Sequence, residues 1–249
     1  MSLQALRQLA QKYRAAKAAH PGLRLEYAVM MCIAAAECEA MGAKEMTVIE
    51  FGVYRGDGLL ALADMCRQIT DCCGLRFRLF GFDSGTGLPA PTDYRDHPEI
   101  WHAGDFKDVD YDAVRRALPD FAELIVGDFT ETVPRFFSSL SAGSPVGLVA
   151  IDSDLYSSAT TALRLLEQPA ECLLPAVLTY FDDVDDILTF NRRSGEALAI
   201  NEFNVRNPWR LIERRRSSLH GYYVCHVLDH PVRRGRGGHG SLDIRISEF

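Results

Sequence analysis

Met46-Thr-Val-Ile-Glu-Phe-Gly-Val-Tyr-Arg-Gly-Asp-Gly58 is the stretch of sequence that decides the fold. Residues 46–51 form a short, mostly apolar run that is typical of a buried strand. Three glycines follow within seven residues, and residues 59–68 then show the apolar spacing of a helix. A strand, a glycine-rich turn and a helix in this order predict the opening of a βαβ unit.

On the C-terminal side of this stretch, short apolar runs continue to alternate with helical patterns. This alternation predicts an α/β fold with a Rossmann-like, mostly parallel seven-stranded sheet and helices on both faces. We expect further helices over residues 112–118 and 157–167. We expect the seven strands over residues 46–51, 76–82, 123–126, 147–151, 176–181, 210–213 and 222–228.

On the N-terminal side, residues 3–20 and 24–41 have the spacing of two helices, and Gly42 follows as a C-cap. We therefore divide the chain into an N-terminal helical extension over residues 1–42 and a main domain over residues 43–249. No linker or repeat divides it further. The extension is expected to act as a lid, as a dimer contact or as both, so a homo-oligomer is left open.

Acidic residues recur at or just after the predicted strand ends. In parallel α/β sheets, ligands bind beyond the carboxyl ends of the strands. Topology alone thus brings these side chains to the ligand-binding edge of the sheet. They are Glu50, Asp83, Asp128, Asp152, Asp182 and Asp183.

The glycine loop from Glu50 to Gly58 reads E-x-G-x-x-x-G-x-G. It is neither the G-x-G-x-x-G of dinucleotide enzymes nor a P-loop. Its glycines permit close approach of the backbone to a ligand, and the following helix N-terminus favours a carboxylate. The alternative is a plain tight turn between strand and helix.

Two further segments suit a nucleoside. Asp83 follows the second strand, where an acid can accept hydrogen bonds from ribose hydroxyls, or simply cap a turn with Ser84. Asp128 and Phe129 follow the third strand, and an acid beside an aromatic ring suits an adenine.

Taken together, the motifs resemble the class I S-adenosylmethionine (SAM)-dependent methyltransferases, and specifically the macrocin O-methyltransferase-like family of sugar O-methyltransferases. The resemblance spans residues 46–230. It rests on the segments 48–58, 81–84 with 87–89, 127–132, 151–156 and 181–183, and residues 195–203 also resemble a family segment. The chain departs from the family's usual pattern at Gly85, where an aromatic residue is common, and at Ser153, where glycine is common.

This resemblance implies a SAM-dependent O-methyltransferase that acts on a small-molecule hydroxyl, most directly on the sugar moiety of a natural product. It also implies which residues bind the cofactor. They are Glu50, Gly52, Tyr54, Gly56, Gly58, Asp83, Ser84, Asp128, Phe129 and Asp152.

The acids after the fourth and fifth strands should face one small volume, where they repel one another unless a cation or protons neutralise them. Oxygen ligands suit Mg²⁺. Family members with this pattern bind Mg²⁺ through acids at the positions of Asp152, Asp182 and Asp183. The alternative is that Asp182 and Asp183 only cap a helix that starts near Asp185.

Asp152 is also the expected catalytic residue, since a carboxylate can take the proton of the acceptor hydroxyl. His97 and His102 lie in the long loop over residues 84–110 and are weaker candidates for a base or an acceptor contact. A SAM-binding protein without catalysis, a metal-free methyltransferase and a nicotinamide-dependent oxidoreductase are the competing interpretations.

Composition limits the partners. The net charge is −7 and the sequence pI is about 5.5, which disfavours a nucleic-acid binder. The seven cysteines form no C-x-x-C pair, and the first twenty residues do not have the pattern of a signal peptide. We expect a cytoplasmic protein without a membrane span. The Arg/Gly-rich segment 233–240 is interpreted as a loop before a final edge strand over residues 242–246; the alternative is a contact with RNA or another acidic partner.

Overall fold

This computed structural model describes residues 2–17, 24–184, 187–215, 220–234 and 249. Seven strands form one sheet in the order β3-β2-β1-β4-β5-β7-β6. β7 runs antiparallel to both of its neighbours, and the other pairings are parallel. The expected mostly parallel seven-stranded sheet is confirmed. The strands are β1 (Glu45–Phe51), β2 (Arg76–Asp83), β3 (Ala122–Val126), β4 (Val146–Ile151), β5 (Leu173–Phe181), β6 (Arg210–Arg214) and β7 (Tyr222–Val227).

Helices cover both faces, as expected. They are α1 (Ser2–Lys17), α2 (Leu25–Ala40), α3 (Asp57–Cys73), α4 (Tyr111–Ala117), α5 (Phe129–Phe136), α6 (Tyr156–Leu163) and α7 (Gly195–Arg206). α5 and α7 were not predicted from the sequence. α5 is short and contains Pro134, which obscures its helical pattern. The helix expected over residues 157–167 is shorter and continues as a 3-10 turn over Arg164–Glu167.

The two sheet faces have separate apolar cores because side chains alternate along each strand. In β1, Val48 belongs to the core that contains α1, α2 and α3, while Ile49 and Phe51 belong to the core with α5, α6 and α7. α2 packs directly on β4 and β5. The division at residues 42 and 43 stays a prediction, although α2 shares the core of the main sheet.

Glu37 on α2 illustrates this burial. Its side chain is almost fully buried and accepts a hydrogen bond from Ala176 N at 3.0 Å. Burial raises the pKa of Glu37 to about 8, against the opposing effects of the Ala176 N–H and of Arg233. The unfolded chain releases this proton near pH 4.5, so Glu37 lowers the free energy of unfolding as pH rises from about 4.5 to 8.

At pH 8 we expect the free energy of unfolding of Glu37→Gln to exceed that of the wild type by a few kcal/mol, so the variant unfolds at a higher denaturant concentration. Near pH 4.5 the two proteins should have the same free energy of unfolding. The amide oxygen of Gln can still accept from Ala176 N, so the hydrogen bond survives. Urea unfolding across this pH range measures the difference. Glu26→Gln, on the same helix, controls for removal of one negative charge. A Glu37→Gln gain that is equal at pH 5 and pH 8 contradicts the prediction.

Two expectations concern the ends of the chain. The edge strand expected over residues 242–246 lies outside the described residues, as does most of the segment 233–240. Among the residues that are described, no helix combines the length and the apolar character needed to cross a membrane.

Candidate active site at the carboxyl ends of the strands

A cavity of about 390 Å³ opens beyond the carboxyl ends of β1 and β4. The strand order reverses direction between these two strands, which makes this position the topological switch point of the sheet. Nine of the ten residues that the sequence analysis assigned to the cofactor line the cavity; the exception is Gly56. They are Glu50, Gly52, Tyr54, Gly58, Asp83, Ser84, Asp128, Phe129 and Asp152.

Two glycines of the loop lie so close to neighbouring groups that a side chain would not fit. Gly52 has φ +85°, and a Cβ there would lie 1.7 Å from the carbonyl oxygen of Asp152. A Cβ on Gly58 would lie 2.1 Å from Glu50 Oε1. Gly56, the N-cap of α3, has φ +89° and packs against Val114 instead of facing the cavity. The loop is therefore more than a plain turn, since two glycines make room for acidic residues of the site.

Asp83 holds this loop in place. Its Oδ2 accepts hydrogen bonds from Val53 N at 3.0 Å and Tyr54 N at 2.9 Å. Its Oδ1 accepts from Gly85 N at 3.0 Å and from the Tyr111 hydroxyl. These four donors use about all the acceptor positions of a carboxylate. A ribose hydroxyl would have to replace one of them, and Tyr111 is the side chain among the four.

Asp128 and Phe129 lie where β3 meets α5. Asp128 is the N-cap of α5 and accepts from Thr130 N at 2.7 Å and Thr130 Oγ1 at 2.6 Å. These hydrogen bonds lower the pKa of Asp128. The Phe129 ring packs edge-on against Phe51, with centroids 5.5 Å apart. Asp128 thus combines a local capping role with a position on the cavity wall.

Glu50 lies at the floor of the cavity and is buried. Its Oε1 accepts from the Tyr27 hydroxyl at 3.0 Å, whereas Oε2 is buried and has no partner among the described residues. Burial raises the pKa of Glu50 to about 8, although Arg24 acts in the opposite direction. An unpartnered buried carboxylate oxygen is costly, so this atom is a strong candidate for a ligand contact.

Arg24 and Tyr27, at the start of α2, reach the same site and were missed by the sequence analysis. Arg24 Nη1 lies 3.4 Å from Asp152 Oδ2 and 3.3 Å from the Tyr27 hydroxyl. Burial opposes the charge of Arg24, but Tyr27, Asp152 and Glu50 raise its pKa overall. No local pattern in the sequence signals these contacts, because they join residues far apart in the chain.

The acidic side chains beyond β4 and β5 are close enough to raise one another's pKa. Burial raises the pKa of Asp152 to about 6, with repulsion from Asp182 adding to it and Arg24 opposing it. The pKa of Asp154 rises to about 7 and that of Asp183 to about 8, first through burial and then through neighbouring acids. Glu196, on α7, is fully buried and belongs to the same group, which the sequence analysis did not foresee.

Glu196 is tied to Asp183 through Oε2, which accepts from Asp183 N at 3.0 Å. Burial and the charge of Asp183 raise the pKa of Glu196 well above its usual value. Asp183 Oδ2 and Glu196 Oε1 are both buried without a partner among the described residues. This is the arrangement of acidic oxygens that a cation or shared protons would stabilise.

Asp182 and Asp183 do not line the cavity. Asp182 Oδ1 accepts from the Tyr180 hydroxyl, and its backbone oxygen contacts His220 Nε2 at 2.8 Å. Within the described residues, no three acidic, imidazole or thiol groups converge as a metal site. The alternative of a helix starting near Asp185 begins on residues 185–186, which lie outside the described residues. The flanking residues 182–184 and 187–194 contain no helix.

Three cavity-lining residues other than glycine have positive φ angles. They are Tyr54 at 47°, Phe106 at 65° and Asp154 at 63°. Such backbone is uncommon for residues other than glycine, above all for aromatic ones, and is often found at functional sites. The Tyr54 and Phe106 rings are 5.3 Å apart, so the long loop over residues 84–110 folds onto the glycine loop.

The two loop histidines lie away from the cavity wall. His97 is buried, contacts Glu99 Oε1 through Nδ1 at 2.9 Å and packs beside Phe190. His102 is exposed and lies near Asp105. These positions favour structural roles for both, so Asp152 stays the stronger candidate for the base.

Comparison with known proteins agrees with this arrangement. Residues 49–184 match the family described as a methyltransferase domain. The solved structure of CalS11, a calicheamicin methyltransferase, is similar with 18% identity and a TM-score of 0.57, covering 87% of this chain and 91% of that one. The O-methyltransferase NovP has 17% identity and a TM-score of 0.56, covering 80% and 77%. No curated protein sequence matched. The chain belongs to the methyltransferase domain family, and its sheet has the class I methyltransferase fold that the sequence motifs predicted.

Proposed function

We propose that this protein is a SAM-dependent O-methyltransferase that acts on a hydroxyl of a small molecule, most directly a sugar moiety of a natural product. The observation that carries the proposal is the cavity at the switch point, which places the glycine loop, buried Glu50 and the Asp152 carboxylate around one volume. The fold similarity to CalS11 and NovP supports this choice of reaction.

The cavity suits SAM on its own chemistry. Glu50 Oε2 is a buried acceptor without a described partner, and it suits a cationic group of the ligand such as an ammonium. Gly52 and Gly58 have no side chain, which lets the backbone of the loop lie close to Asp152 and Glu50. Ser84, Asp128 and Phe129 line it further along, where they suit the nucleoside.

Mg²⁺ suits the neighbouring acids, because they provide hard oxygen donors that repel one another without a cation. We propose that Asp152, Asp182 and Asp183 hold it, with Asp154 and Glu196 close by. When bound, Mg²⁺ would lower the pKa of the acceptor hydroxyl and help to orient it.

The residues of the chain can then perform an in-line displacement. The cavity walls hold the acceptor oxygen, the methyl carbon and the sulfonium in line, which can contribute up to about 7–11 kcal/mol. As the new oxygen–carbon bond forms and the carbon–sulfur bond breaks, Asp152 accepts the hydroxyl proton. The products are the methyl ether and S-adenosylhomocysteine.

Calorimetric titration of SAM into the protein, followed by Mg²⁺ into the SAM complex, tests this proposal. We expect micromolar SAM binding and a separate Mg²⁺ event that Asp182→Ala removes while SAM binding persists. Asp112→Ala, an exposed acid on α4, is the control for Mg²⁺. Absence of SAM binding by folded protein would refute the proposal as a whole. SAM binding without a Mg²⁺ event would refute only its metal-dependent part and favour a metal-free methyltransferase.

A SAM-binding protein without catalysis is the second candidate, and it predicts binding with no turnover of any acceptor. The match to a methyltransferase domain decides against the nicotinamide-dependent oxidoreductase. The cytoplasmic location, the lack of nucleic-acid and membrane partners, and a homo-oligomer stay predictions.

A further inference from the structure

The methionine part of SAM carries an ammonium and a carboxylate, which need partners of opposite charge. The cavity offers both an acid and an arginine. Arg24 and Arg55 are the arginines among its lining residues, and the described wall contains no lysine or histidine. Arg24 lies beside Glu50 and Asp152, at the ends of β1 and β4. Arg55 is exposed, and its guanidinium lies over the Tyr54 ring, 4.9 Å from the ring centroid.

Tyr27 sets the spacing between cation and acid. Its hydroxyl donates to Glu50 Oε1 at 3.0 Å and accepts from Arg24 Nη1 at 3.3 Å. One hydroxyl therefore separates the guanidinium from the carboxylate that has the free Oε2 atom. An α-amino acid carries its ammonium and carboxylate on a single carbon, and this spacing matches that short separation.

Some N–H donors of the Arg24 guanidinium make no hydrogen bond to described residues. Both hydrogen bonds that its guanidinium makes to described residues run through Nη1, and each is long for a charge-assisted contact. The Nε and Nη2 donors make no hydrogen bond within the described part of the chain. A guanidinium provides five N–H donors in a planar fork that matches a carboxylate.

The N-terminus of α3, the other expected carboxylate site, is already acidic. Asp57 occupies its first turn, and the Glu50 carboxylate lies so close that a Cβ on Gly58 would collide with it. A ligand carboxylate placed there would meet two acidic side chains. The sequence-based expectation that this helix end favours a ligand carboxylate is therefore disfavoured by the structure.

We propose that Arg24 binds the carboxylate of the methionine part of SAM, while the free oxygen of Glu50 faces its ammonium. This inference rests on the proposed function and assigns to α2 a binding role in the methyltransferase site. Arg24 is thereby a specificity residue: it distinguishes SAM from analogues that lack the carboxylate.

The experiment compares SAM with decarboxylated SAM, which differs only in the missing carboxylate, by calorimetric titration. We expect Arg24→Met to weaken SAM binding by about 10- to 100-fold and to change binding of decarboxylated SAM by less than about threefold. Arg24→Lys should recover part of the SAM affinity, since it keeps the charge but loses the planar fork. Arg55→Met, the matched cavity arginine, should bind both ligands as the wild type does.

Each contrary result overturns the assignment in its own way. An equal loss for both ligands in Arg24→Met would show that Arg24 only supports the structure. Unchanged SAM affinity in Arg24→Met, or a selective loss in Arg55→Met, would move the carboxylate site elsewhere while the proposed function stands. If the wild type binds neither ligand, the proposed function fails together with this inference.

Discussion

Gly52→Ala is expected to destabilise the folded protein by about 2–5 kcal/mol, which is a large share of the stability of a typical domain. The added Cβ would lie 1.7 Å from the carbonyl oxygen of Asp152, and both groups belong to the backbone ends of central strands. Neither can move without disturbing the pairing of β1 and β4. The φ angle of +85° adds a second cost for any residue with a side chain.

Gly42→Ala separates these two costs. Gly42 has a similar φ of +78°, but a Cβ added there would meet no atom within 4 Å apart from its chain neighbours. Urea unfolding should show a loss of only about 1 kcal/mol for this variant. If Gly52→Ala is no less stable than Gly42→Ala, the close approach of the two strand ends is not a constraint on the fold.

Asp152→Asn is expected to reduce kcat by about 10²–10⁴-fold, the range for loss of a general base. The amide keeps the size of the side chain but does not accept a proton at neutral pH. The cavity and the glycine loop stay in place, so SAM affinity should change by less than about tenfold. Methyl transfer from labelled SAM, measured with a sugar-containing acceptor, and calorimetry with SAM give the two quantities.

Asp112→Asn provides the control, because Asp112 is an exposed acid that pairs with Arg115 on α4. It should have wild-type kcat and SAM affinity. A folded Asp152→Asn variant that has lost SAM binding would show that Asp152 acts mainly in binding the cofactor. Retained turnover would remove Asp152 from the role of base.

Local sequence patterns were sufficient for the sheet and for the position of the site. Buried strands appear as short apolar runs, and parallel topology brings the residues that follow them to one edge. Glu50, Asp83 and Asp152 were therefore expected at one cavity, and all three line it. The sequence did not predict their hydrogen bonds: Asp83 accepts from the backbone of the glycine loop, from Gly85 N and from the Tyr111 hydroxyl.

The unforeseen residues come from other segments. Arg24 is the N-cap of α2 and Tyr27 lies in its first turn, in a stretch that looks like an ordinary helix, and Glu196 lies near the start of α7. Each reaches the site through contacts that span many residues of sequence, such as Arg24 to Asp152. Periodicity describes neighbours three or four positions apart and has no information about such pairs.

By itself, the sequence determined the seven strands, most of the helices, the glycine loop and the sheet edge after which the acidic residues occur. These features depend on local propensity and on the chirality of parallel crossovers, which short stretches of chain already specify. Only the tertiary structure decided which groups contact one another: Arg24 with Asp152, the Tyr27 hydroxyl with Glu50, and Glu196 with the backbone N–H of Asp183. The physical reason is that electrostatic interactions and burial depend on distance in space, which the packing of α2 and α7 against the sheet sets.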